Sequence, residues 1–428
     1  MNGFVIAAPR SGSGKTTVTL GLVAALAARG LRVAPAKTGP DYIDTAILAR
    51  AAGHPAINLD PWAMSPARLE ALAAEHAAAA DLLVVEGVMG LFDGAADGTG
   101  STADLAERLG LPVILVLDAE RQSQSIAALA HGFMSFRPEV RVAGLIVNRA
   151  ASTRHEQMLR DALAPLSIPL LGVIPRRDTL KLPERHLGLV LPDEIARFNA
   201  ILAAATGAIA DYVDLDALRA LAAPLPAAAA GAPGLPPLGQ RIAIARDDAF
   251  AFLYPHMLAD WRRAGAELSF FSPLADEAPD ADADAVFLPG GYPELHAPRL
   301  AAAETFATGL RAAAARDALI YGECGGFMVL GETLTDAAGA SWPMVGLLPH
   351  ETRIDRPRRL LGYRHLTHAS PLPFPAALRG HEFHYSSARR LHGTPLFAAT
   401  DARGEAQPGM GLVAGRVMGS YAHIIDVA

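Results

Sequence analysis

A short apolar segment near the start of the chain runs directly into a glycine-rich loop, and this junction restricts the possible folds strongly. The segment Phe4–Ala8 has the composition of a buried strand, and an apolar helical pattern that ends near Gly30 follows the loop. The loop reads Pro9-Arg10-Ser11-Gly12-Ser13-Gly14-Lys15-Thr16-Thr17. A strand, such a loop and a helix in succession form the phosphate-binding loop of parallel α/β proteins, although proline here replaces the usual first glycine. We therefore predict an α/β domain that binds a nucleotide.

The loop supplies both backbone and side-chain contacts to phosphate. Its glycines let successive N–H groups point at phosphate oxygens, and the helix N-terminus adds positive potential. We expect Lys15 to neutralise the terminal phosphates and the Thr16 hydroxyl to hold Mg²⁺. Asn148 ends a later apolar run, where its amide can face the adenine edge. The predicted nucleotide-binding residues are Gly12, Ser13, Gly14, Lys15, Thr16, Thr17 and Asn148.

Acidic residues follow two other apolar runs. The segment Leu82–Glu86 ends in a carboxylate before a glycine-rich loop that contains Asp93. A carboxylate at this end of a strand beside a phosphate loop is where a hard cation finds oxygen ligands, so we predict Glu86 as a metal ligand. The segment Lys37-Thr38-Gly39-Pro40-Asp41-Tyr42-Ile43-Asp44-Thr45 closes another strand. We expect Asp44 or Thr45 to cap the next helix, and Asp44 can contact the active site as well.

Apolar runs rich in valine, isoleucine and leucine recur along the chain and alternate with alanine-rich helical patterns. The predicted strands are Phe4–Ala8, Leu31–Ala36, Leu82–Glu86, Val113–Asp118, Val142–Asn148, Leu170–Ile174, Arg241–Ala245, Leu268–Phe271, Ala285–Leu288 and Ala318–Tyr321. Such alternation favours parallel sheets with helices on both faces. Residues 222–239 contain only alanine, proline, glycine and leucine, which is typical of a semi-extended linker. We predict α/β domains at 1–221 and 240–428, joined by this linker.

Composition excludes several classes of protein. With 51% hydrophobic and 19% charged residues the chain is not disordered, and a net charge of -7 argues against a nucleic-acid partner. The longest uncharged stretch contains prolines at 224, 226, 233, 236 and 237, which exclude a membrane-spanning helix there. The N-terminus lacks the pattern of a secretory signal, and one cysteine cannot form an internal disulfide. We therefore expect a cytoplasmic protein without a membrane partner.

The lone cysteine lies in a distinctive setting. Cys324 follows a predicted strand and precedes an apolar segment, with Gly322 and Gly326 two positions to either side. Small residues at these positions are typical of a sharp strand-to-helix turn that carries a nucleophile. We expect the turn to expose the thiol, and the helix N-terminus to lower the pKa of Cys324.

A thiolate nucleophile needs oxyanion donors and a base. The N–H groups of Gly291 and Gly325 are the predicted oxyanion donors, since Gly291 follows the preceding strand of the same domain. His423, near the C-terminus, is a candidate base. His381 and His384 are rivals, because spacing alone does not select among the fourteen histidines of the chain.

Together these motifs resemble the a,c-diamide synthases of corrinoid biosynthesis over essentially the whole chain. The matching segments are Ser11–Thr17, Lys37–Asp44, Glu86–Gly94, Leu182–Gly188, Pro289–Glu294, Gly322–Gly326, Gly380–Ser386 and Ser420–His423. The resemblance implies a dethiobiotin-synthetase-like ATP domain joined to a class I glutamine amidotransferase domain. It also implies that Cys324 attacks the glutamine amide, with His423 as general base and acid.

The resemblance further implies that ATP and Mg²⁺ activate substrate carboxylates as acyl phosphates, which ammonia from glutamine converts to amides. The substrates are then glutamine and a corrin polycarboxylate. Metal ligands are expected at Thr16, Asp41 and Glu86, and substrate or intermediate contacts at Lys37, Asp41, Tyr42, Asp44 and Asp93. A homodimer is also expected from the resemblance.

Some alternatives stay open at this stage. A glutaminase triad usually has a glutamate two positions beyond its histidine, but the chain has Ile425 there, so we expect a Cys324–His423 dyad. A cobyric acid synthase-like enzyme would amidate other corrin carboxylates. A phosphate-loop switch ATPase would use its second domain only to bind partners. An alanine-rich composition, typical of a high-GC aerobic bacterium, favours metal-free hydrogenobyrinic acid over a cobalt- or nickel-containing macrocycle.

Overall fold

The ten apolar segments predicted as strands all overlap strands of the computed structural model, which confirms the predicted α/β class. The structure describes residues 1–185, 188–189, 192, 195–227, 232–389 and 392–428. It divides into two units, Met1–Ala232 and Pro233–Ala428. The division lies inside the predicted linker, but Ala223–Pro224 already forms a short strand, so the linker does not begin at residue 222 as an irregular segment. The domain limits 1–221 and 240–428 stay predictions.

Unit 1 contains ten described strands and eight described α-helices. The strands are β1 Asn2–Ala7, β2 Val33–Thr38, β3 Ile57–Leu59, β4 Leu82–Glu86, β5 Val113–Asp118, β6 Val142–Ala150, β7 Leu170–Pro175, β8 Glu184–Arg185, β9 Gly188–Leu189 and β10 Ala223–Pro224. The helices are α1 Lys15–Ala28, α2 Tyr42–Ala52, α3 Pro66–Ala77, α4 Thr102–Arg108, α5 Ser125–Ser135, α6 Thr153–Leu163, α7 Phe198–Tyr212 and α8 Leu215–Ala220.

Seven of these strands form a parallel sheet in the order β3-β2-β4-β1-β5-β6-β7, and β10 adds to β1 in the antiparallel sense. The strands β2, β3 and β4 lie on one side of β1, whereas β5, β6 and β7 extend the sheet on the other side of β1. With right-handed crossovers, this change of direction places helices on both faces. Ligands of open α/β sheets bind where the strand order reverses, outside the carboxyl ends of the strands. The loop after β1 lies at that position.

Unit 2 contains fifteen described strands and four described α-helices. The strands are β11 Arg241–Ala245, β12 Glu267–Phe271, β13 Ala285–Leu288, β14 Leu319–Glu323, β15 Thr333–Thr335, β16 Ser341–Pro343, β17 Glu351–Arg353, β18 Leu360–Thr367, β19 Ala377–His384, β20 Ser387–Arg389, β21 Phe397–Asp401, β22 Ala406–Met410, β23 Leu412–Ala414, β24 Val417–Ser420 and β25 His423–Val427. The helices are α9 Pro255–Arg263, α10 Ala297–Ala301, α11 Glu304–Ala315 and α12 Gly325–Leu330.

The central sheet of unit 2 has the order β12-β11-β13-β14-β24-β23, and all its pairs are parallel except the last. A five-stranded antiparallel sheet, β22-β21-β18-β19-β25, and a four-stranded sheet, β16-β15-β17-β20, complete the unit. Strand β24 belongs to the central sheet and β25 to the antiparallel sheet, with only Tyr421 and Ala422 between them. The chain therefore crosses from one sheet to the other beside the end of β14.

No helix among the described ranges is both long enough and apolar enough to cross a membrane.

Candidate active sites

The loop after β1 has the backbone expected of a phosphate loop. Gly12 and Gly14 have φ of +78° and +80°, in the left-handed region that favours glycine. Gly14 is the N-cap of α1, so the helix begins at Lys15 and directs its first N–H groups into the loop. A Cβ at Gly14 would lie 2.2 Å from Asn148 Nδ2, which leaves no room for a side chain there.

Side chains at the carboxyl ends of β5 and β6 support this loop through hydrogen bonds and an ion pair. Asn148 donates from Nδ2 to the carbonyl of Ser13 at 3.2 Å, and Arg149 donates to the carbonyl of Gly12 at 2.9 Å. Arg149 also pairs with Asp118 at 2.9 Å, and Asp118 lies opposite Asn148 in the register of β5 and β6. Asn148 thus supports the loop backbone, and its contact with adenine stays a prediction. Sequence reasoning missed Arg149 and Asp118, although both lie at carboxyl ends of predicted strands.

Glu86 is the centre of a buried charged cluster beside the loop. Its Oε1 accepts hydrogen bonds from the Thr16 hydroxyl at 2.6 Å and from Lys37 Nζ at 3.0 Å, and Lys15 Nζ lies 3.4 Å away. Lys37 faces Glu86 directly across β2 and β4, and it also forms an ion pair with Asp44. The topology therefore brings these predicted residues together.

The charges of this cluster determine one another's ionisation. Burial lowers the pKa of Lys15, and the neighbouring Lys37 ammonium lowers it further. Burial would also lower the pKa of Lys37, but the Asp44 and Glu86 carboxylates outweigh it and raise that pKa above its usual value. For Asp44, the effect of burial is outweighed by Lys37 and Lys15, which lower the pKa of the carboxyl. Two cations and two carboxylates are thus held together at the carboxyl edge of the sheet.

The predicted helix cap in this region is wrong. Asp41 caps α2, because its Oδ1 accepts from the N–H groups of Ile43 and Asp44 at 2.9 Å each. Asp44 lies in the first turn and turns to Lys37, while the Thr45 hydroxyl donates to the Asp41 carbonyl at 2.6 Å. Burial and the neighbouring Asp44 raise the pKa of Asp41 to about 6. The local reason is that Asp41, one residue before the helix, has the extended backbone that an N-cap requires.

The donor set fits a magnesium ion bound together with phosphate. Glu86 Oε2 is buried and has no hydrogen-bond partner among the described residues, so this oxygen is available to a cation. Thr16 presents a hydroxyl at the same carboxylate. Among the described residues, no three His, Cys, Asp or Glu side chains converge to hold a metal by themselves. Mg²⁺ is commonly bound through one or two carboxylates plus substrate phosphates, which agrees with this incomplete set.

The loop after β4 contacts the strand end and the first residue of the phosphate loop. Leu91 N donates to the carbonyl of Ala8 at 2.8 Å, and a Cβ at Gly90 would lie 2.6 Å from the carbonyl oxygen of Pro9. Asp93 accepts from the N–H of Gly90 at 2.8 Å, which places its carboxylate at this contact. Tyr42 is the first residue of α2, beside the Asp41 cap. In the Leu182–Gly188 motif, residues 186 and 187 lie outside the described residues.

In unit 2 the predicted turn at the lone cysteine is confirmed. Cys324 connects β14 to α12 with φ of 45° and ψ of -103°, a strained conformation for a residue with a side chain. A Cβ at Gly326 would lie 1.9 Å from the carbonyl of Leu288, and one at Gly322 would lie 2.8 Å from the carbonyl carbon of Gly326. Both glycines are therefore required by close packing around the turn.

The expectation of an exposed thiol with a lowered pKa is wrong. Cys324 is only 3% exposed and packs with the apolar core of unit 2. Burial raises the pKa of the thiol far above its usual value, as does the Glu294 carboxylate, and the N–H of Gly325 opposes this only in part. The reason is that α12 has six residues, all of them buried, so loss of hydration outweighs the field of a short helix end.

His423 lies beside this turn because β24 pairs with β14. Cys324 N donates to the carbonyl of Ser420 at 2.8 Å, three residues before His423. The imidazole is 1% exposed, and a Cβ at Gly290 would lie 2.4 Å from its Cε1. Burial lowers the pKa of His423, so the ring is neutral and can accept a proton.

The two rival histidines have other contacts. His381 stacks on His423 with ring centres 4.8 Å apart, and its Nε2 lies 3.1 Å from the Tyr254 hydroxyl. His384 pairs through Nε2 with Glu382 at 2.9 Å, and its Nδ1 faces Ser386. These contacts fit supporting roles around His423.

The two predicted oxyanion donors lie close together. A Cβ at Gly325 would lie 3.1 Å from the backbone nitrogen of Gly291. The loop after β13 therefore covers the first residue of α12. Any side chain at position 325 would obstruct the space between the two N–H groups.

Comparison with known proteins agrees with this arrangement. Hydrogenobyrinate a,c-diamide synthase of Brucella suis biovar 1 is 56% identical over 430 residues, which cover 100% of this chain and 99% of that protein. The chain belongs to the hydrogenobyrinate a,c-diamide synthase family. The synthase of this name from Rhodobacter capsulatus is 52% identical over 430 residues, covering 99% of this chain and 98% of that protein.

Each half of the chain also matches a domain family. Residues 4–190 match the CobQ/CobB/MinD/ParA nucleotide binding domain, and residues 241–426 match the CobB/CobQ-like glutamine amidotransferase domain. Among solved structures, the chain is similar to the MinD cell division protein of Aquifex aeolicus at 18% identity with a TM-score of 0.36, over 53% of this chain and 100% of that one. Membership of the synthase family thus agrees with a nucleotide domain and a glutaminase domain in that order.

Proposed function

We propose that this chain catalyses the ATP- and glutamine-dependent amidation of the a and c side-chain carboxylates of hydrogenobyrinic acid. The observation that carries the proposal is the full-length identity of 56% to a synthase of that name, in a chain that has a phosphate loop and carries Cys324 and His423 just beyond the paired ends of β14 and β24. The enzyme is a carbon–nitrogen ligase of cobalamin biosynthesis that takes nitrogen from glutamine.

In unit 2 the thiol and the imidazole would release ammonia from glutamine. Cys324 Sγ attacks the side-chain amide carbon while its proton passes to His423, and the N–H groups of Gly291 and Gly325 stabilise the oxyanion. His423 returns the proton to the leaving nitrogen, so ammonia departs and a thioester remains. Water then adds to the thioester carbon, which regenerates the thiol and releases glutamate. Dividing amide hydrolysis in this way replaces one difficult step with two easier ones.

In unit 1 a substrate carboxylate would be activated by phosphoryl transfer. A carboxylate oxygen attacks the terminal phosphorus of ATP, and ADP leaves with the bridging oxygen. Ammonia then attacks the acyl carbon, loses a proton and expels phosphate, which leaves the amide. Lys15 and Lys37 would balance the charge on the phosphate and carboxylate oxygens, and both are held in place through Glu86.

Magnesium would be held by Thr16, Asp41 and Glu86, and the carboxylate of Asp93 would lie near the substrate. The ion, when bound, neutralises phosphate charge. Lys37 and Asp44 form an ion pair at the same edge of the sheet, where Tyr42 at the start of α2 would help to orient the macrocycle. Gly12, Ser13, Gly14 and Thr17 would contribute their backbone N–H groups to the phosphates.

Two single-residue variants test whether the reactions occupy separate sites. Cys324→Ser should lower glutamine-dependent synthesis by on the order of 10³-fold or more while ammonia-dependent synthesis continues. Lys15→Ala should abolish synthesis with either nitrogen source. The assay measures ADP, glutamate and amidated product. Loss of both activities in a folded Cys324→Ser variant would contradict separate sites.

The identity of the macrocycle is tested by comparing substrates. Hydrogenobyrinic acid should be converted to its a,c-diamide in preference to cobyrinic acid or a nickel-containing relative. Products amidated at other side chains would instead indicate a cobyric acid synthase-like enzyme. A folded protein that hydrolyses ATP but whose Cys324 is inert to a glutamine-like electrophile would indicate the switch ATPase.

We also retain two expectations about the enzyme in the cell. A single cysteine, which has no second thiol with which to form an internal disulfide, supports a cytoplasmic location. A homodimer stays a prediction, which sedimentation of the purified protein would test.

A further inference from the structure

Glu323, immediately before the nucleophile, lies against the ring of His423. Resting on the proposed glutaminase reaction, we propose that Glu323 is the positioning residue that orients His423 and stabilises its protonated form. It would thereby replace, from a different strand, the carboxylate that triads carry two positions after the histidine.

The strand that carries His423 offers no such carboxylate at the usual position. Residues 423 and 425 point to the same side of β25, because side chains alternate along a strand. The residue at 425 is isoleucine, 1% exposed, and the Asp426 carboxylate accepts from the N–H of Val427 at 2.8 Å. An acidic partner for the ring therefore has to come from another element.

The carboxylate of Glu323 is fixed at such a place. Its Oε1 accepts from the Tyr321 hydroxyl at 3.0 Å and from the N–H of Ile424 at 3.1 Å. Its Oε2 lies 3.9 Å from His423 Nδ1, and the Glu323 side chain is 3% exposed. The N–H next to the histidine thus holds one oxygen of the carboxylate, while the other oxygen faces the ring.

This geometry suits the charge that forms during the reaction. When His423 takes the thiol proton, both ring nitrogens become donors, and Nδ1–H then faces Glu323 Oε2. A small movement would convert the 3.9 Å contact to a hydrogen bond. A carboxylate in that position favours one ring orientation and stabilises the imidazolium, as the acidic member of a triad does.

If Glu323 acts in this way, glutaminase activity should depend on the ionisation of Glu323 and therefore on pH. The titratable groups that face it are Tyr321 of β14, Cys324 in the turn after β14, and His423 of β25, with His381 of β19 stacked beyond the ring. Burial raises the pKa of Glu323 to about 8, although Ile424 N–H and Tyr321 oppose this. Burial lowers the pKa of His423 and raises that of Cys324, so neither titrates near that pH. Glutaminase activity should therefore rise as Glu323 ionises with increasing pH.

The experiment is steady-state glutamate release by the full chain and by its Glu323→Gln variant, from about pH 6 to about pH 10. The variant keeps an acceptor for Ile424 and Tyr321 but has no charge. We expect kcat to fall roughly 10- to 100-fold with little change in KM for glutamine, and the rise near the pKa of Glu323 to disappear. Glu323→Asp, which restores the charge, should recover part of kcat and the pH-dependent rise.

Tyr321→Phe is the matched control, because it removes one hydrogen bond to Glu323 and leaves the carboxylate. The ring of Tyr321 stacks on Phe287 with centres 5.8 Å apart, and phenylalanine keeps that packing. We expect kcat to change less than about threefold and the rise to move to higher pH, since a donor to the ionised carboxylate is lost.

The outcomes separate this proposal from the proposed function. A folded Glu323→Gln variant with a wild-type kcat and an unchanged pH profile would overturn the positioning role. Equal losses of kcat in Tyr321→Phe and Glu323→Gln would also overturn it, because hydrogen bonding alone would then account for the effect. If Glu323→Gln does not fold, Glu323→Asp and Tyr321→Phe decide by the same criteria. Wild-type protein that releases no glutamate would instead refute the glutaminase reaction itself.

Discussion

The imidazole of His350 is a single buried group with a measurable effect on stability. It is 0% exposed and stacks on Phe327 of α12, the helix that follows Cys324, with ring centres 4.0 Å apart. Neither ring nitrogen makes a hydrogen bond of ordinary geometry within the described part of the chain, and the backbone of Phe327 opposes the effect of burial on the pKa of His350 only in part. Burial lowers the pKa of His350 to about 4, so the native protein holds the ring neutral. An unfolded chain, in contrast, protonates the same ring below its ordinary value of about 6.5.

The lowered pKa of His350 predicts acid sensitivity around α12. The stabilising contribution is fully present above about pH 6.5, falls as the pH decreases, and is lost once the pH passes below about 4; it amounts to roughly 3 kcal/mol. His350→Phe removes the titration. Hydrogen exchange of Gly325–Leu330 across this range should therefore show wild type losing protection relative to the variant. Parallel pH profiles for the two proteins would contradict the expectation.

Single functional residues could be predicted from the sequence, but their burial and their contacts could not. Cys324, Lys15 and Glu86 were recognisable from motifs at the ends of apolar strands, whereas His423 was selected among the fourteen histidines only by the family resemblance. The burial of Cys324 was not, because it depends on the core residues of distant segments that close over α12. The contact of Glu323 with His423 was missed for the same reason, although Glu323 directly precedes the nucleophile.

Among the elements, helices α1 and α7 of unit 1 approach each other closely at a glycine. A Cβ at Gly21 would lie 2.7 Å from Ile209 Cγ1 and 2.8 Å from the carbonyl oxygen of Ala205. A Cβ at Gly207, on α7 itself, would meet no described atom within 4 Å apart from its chain neighbours and the adjacent backbone of its own helix. The two glycines thus share secondary structure and differ in packing.

This difference predicts opposite effects of one substitution. Gly21→Ala should destabilise unit 1 by about 1–3 kcal/mol, because the backbone of α7 must move. Gly207→Ala should stabilise it by about 0.5–1 kcal/mol, because alanine restricts the unfolded chain and favours the helix. Thermal unfolding of the two variants beside wild type provides the measurement. A stabilising Gly21→Ala would show that the helices are not in contact as described.

The elements that the sequence predicted well are the parallel strands. They are buried on both faces and therefore read as continuous apolar runs, as Val113–Asp118 does. The antiparallel strand β19 of unit 2 was not predicted, because buried polar residues interrupt its pattern. In β19, His381, Glu382 and His384 are all buried, so neither an apolar run nor simple alternation is visible. His381 stacks on His423, and His384 pairs with Glu382, so a buried polar cluster has obscured the strand pattern.

For the whole molecule, the proposed function requires that ammonia released at the thiol site reaches the phosphate-loop site. Ammonia that escapes to water is protonated, and the ammonium ion is not a nucleophile. Joining the thiol site and the phosphate-loop site in one polypeptide is useful if the ammonia is transferred without mixing with the bulk solvent. The sites themselves were predictable because each follows a parallel strand, whereas the transfer route has no sequence motif.

Mixing the two inactivated variants tests this transfer. Lys15→Ala keeps the glutaminase site and Cys324→Ser keeps the synthetase site, so an equimolar mixture contains both activities on different chains. We expect glutamate to be released but glutamine-dependent amidation to stay below roughly a tenth of the wild-type rate near neutral pH, because released ammonia is diluted and protonated. Added ammonium at alkaline pH should restore amidation by the Cys324→Ser chain and serves as its control. A mixture that amidates at nearly the wild-type rate from glutamine alone would show that ammonia passes through solvent or between chains, and internal transfer would then be wrong.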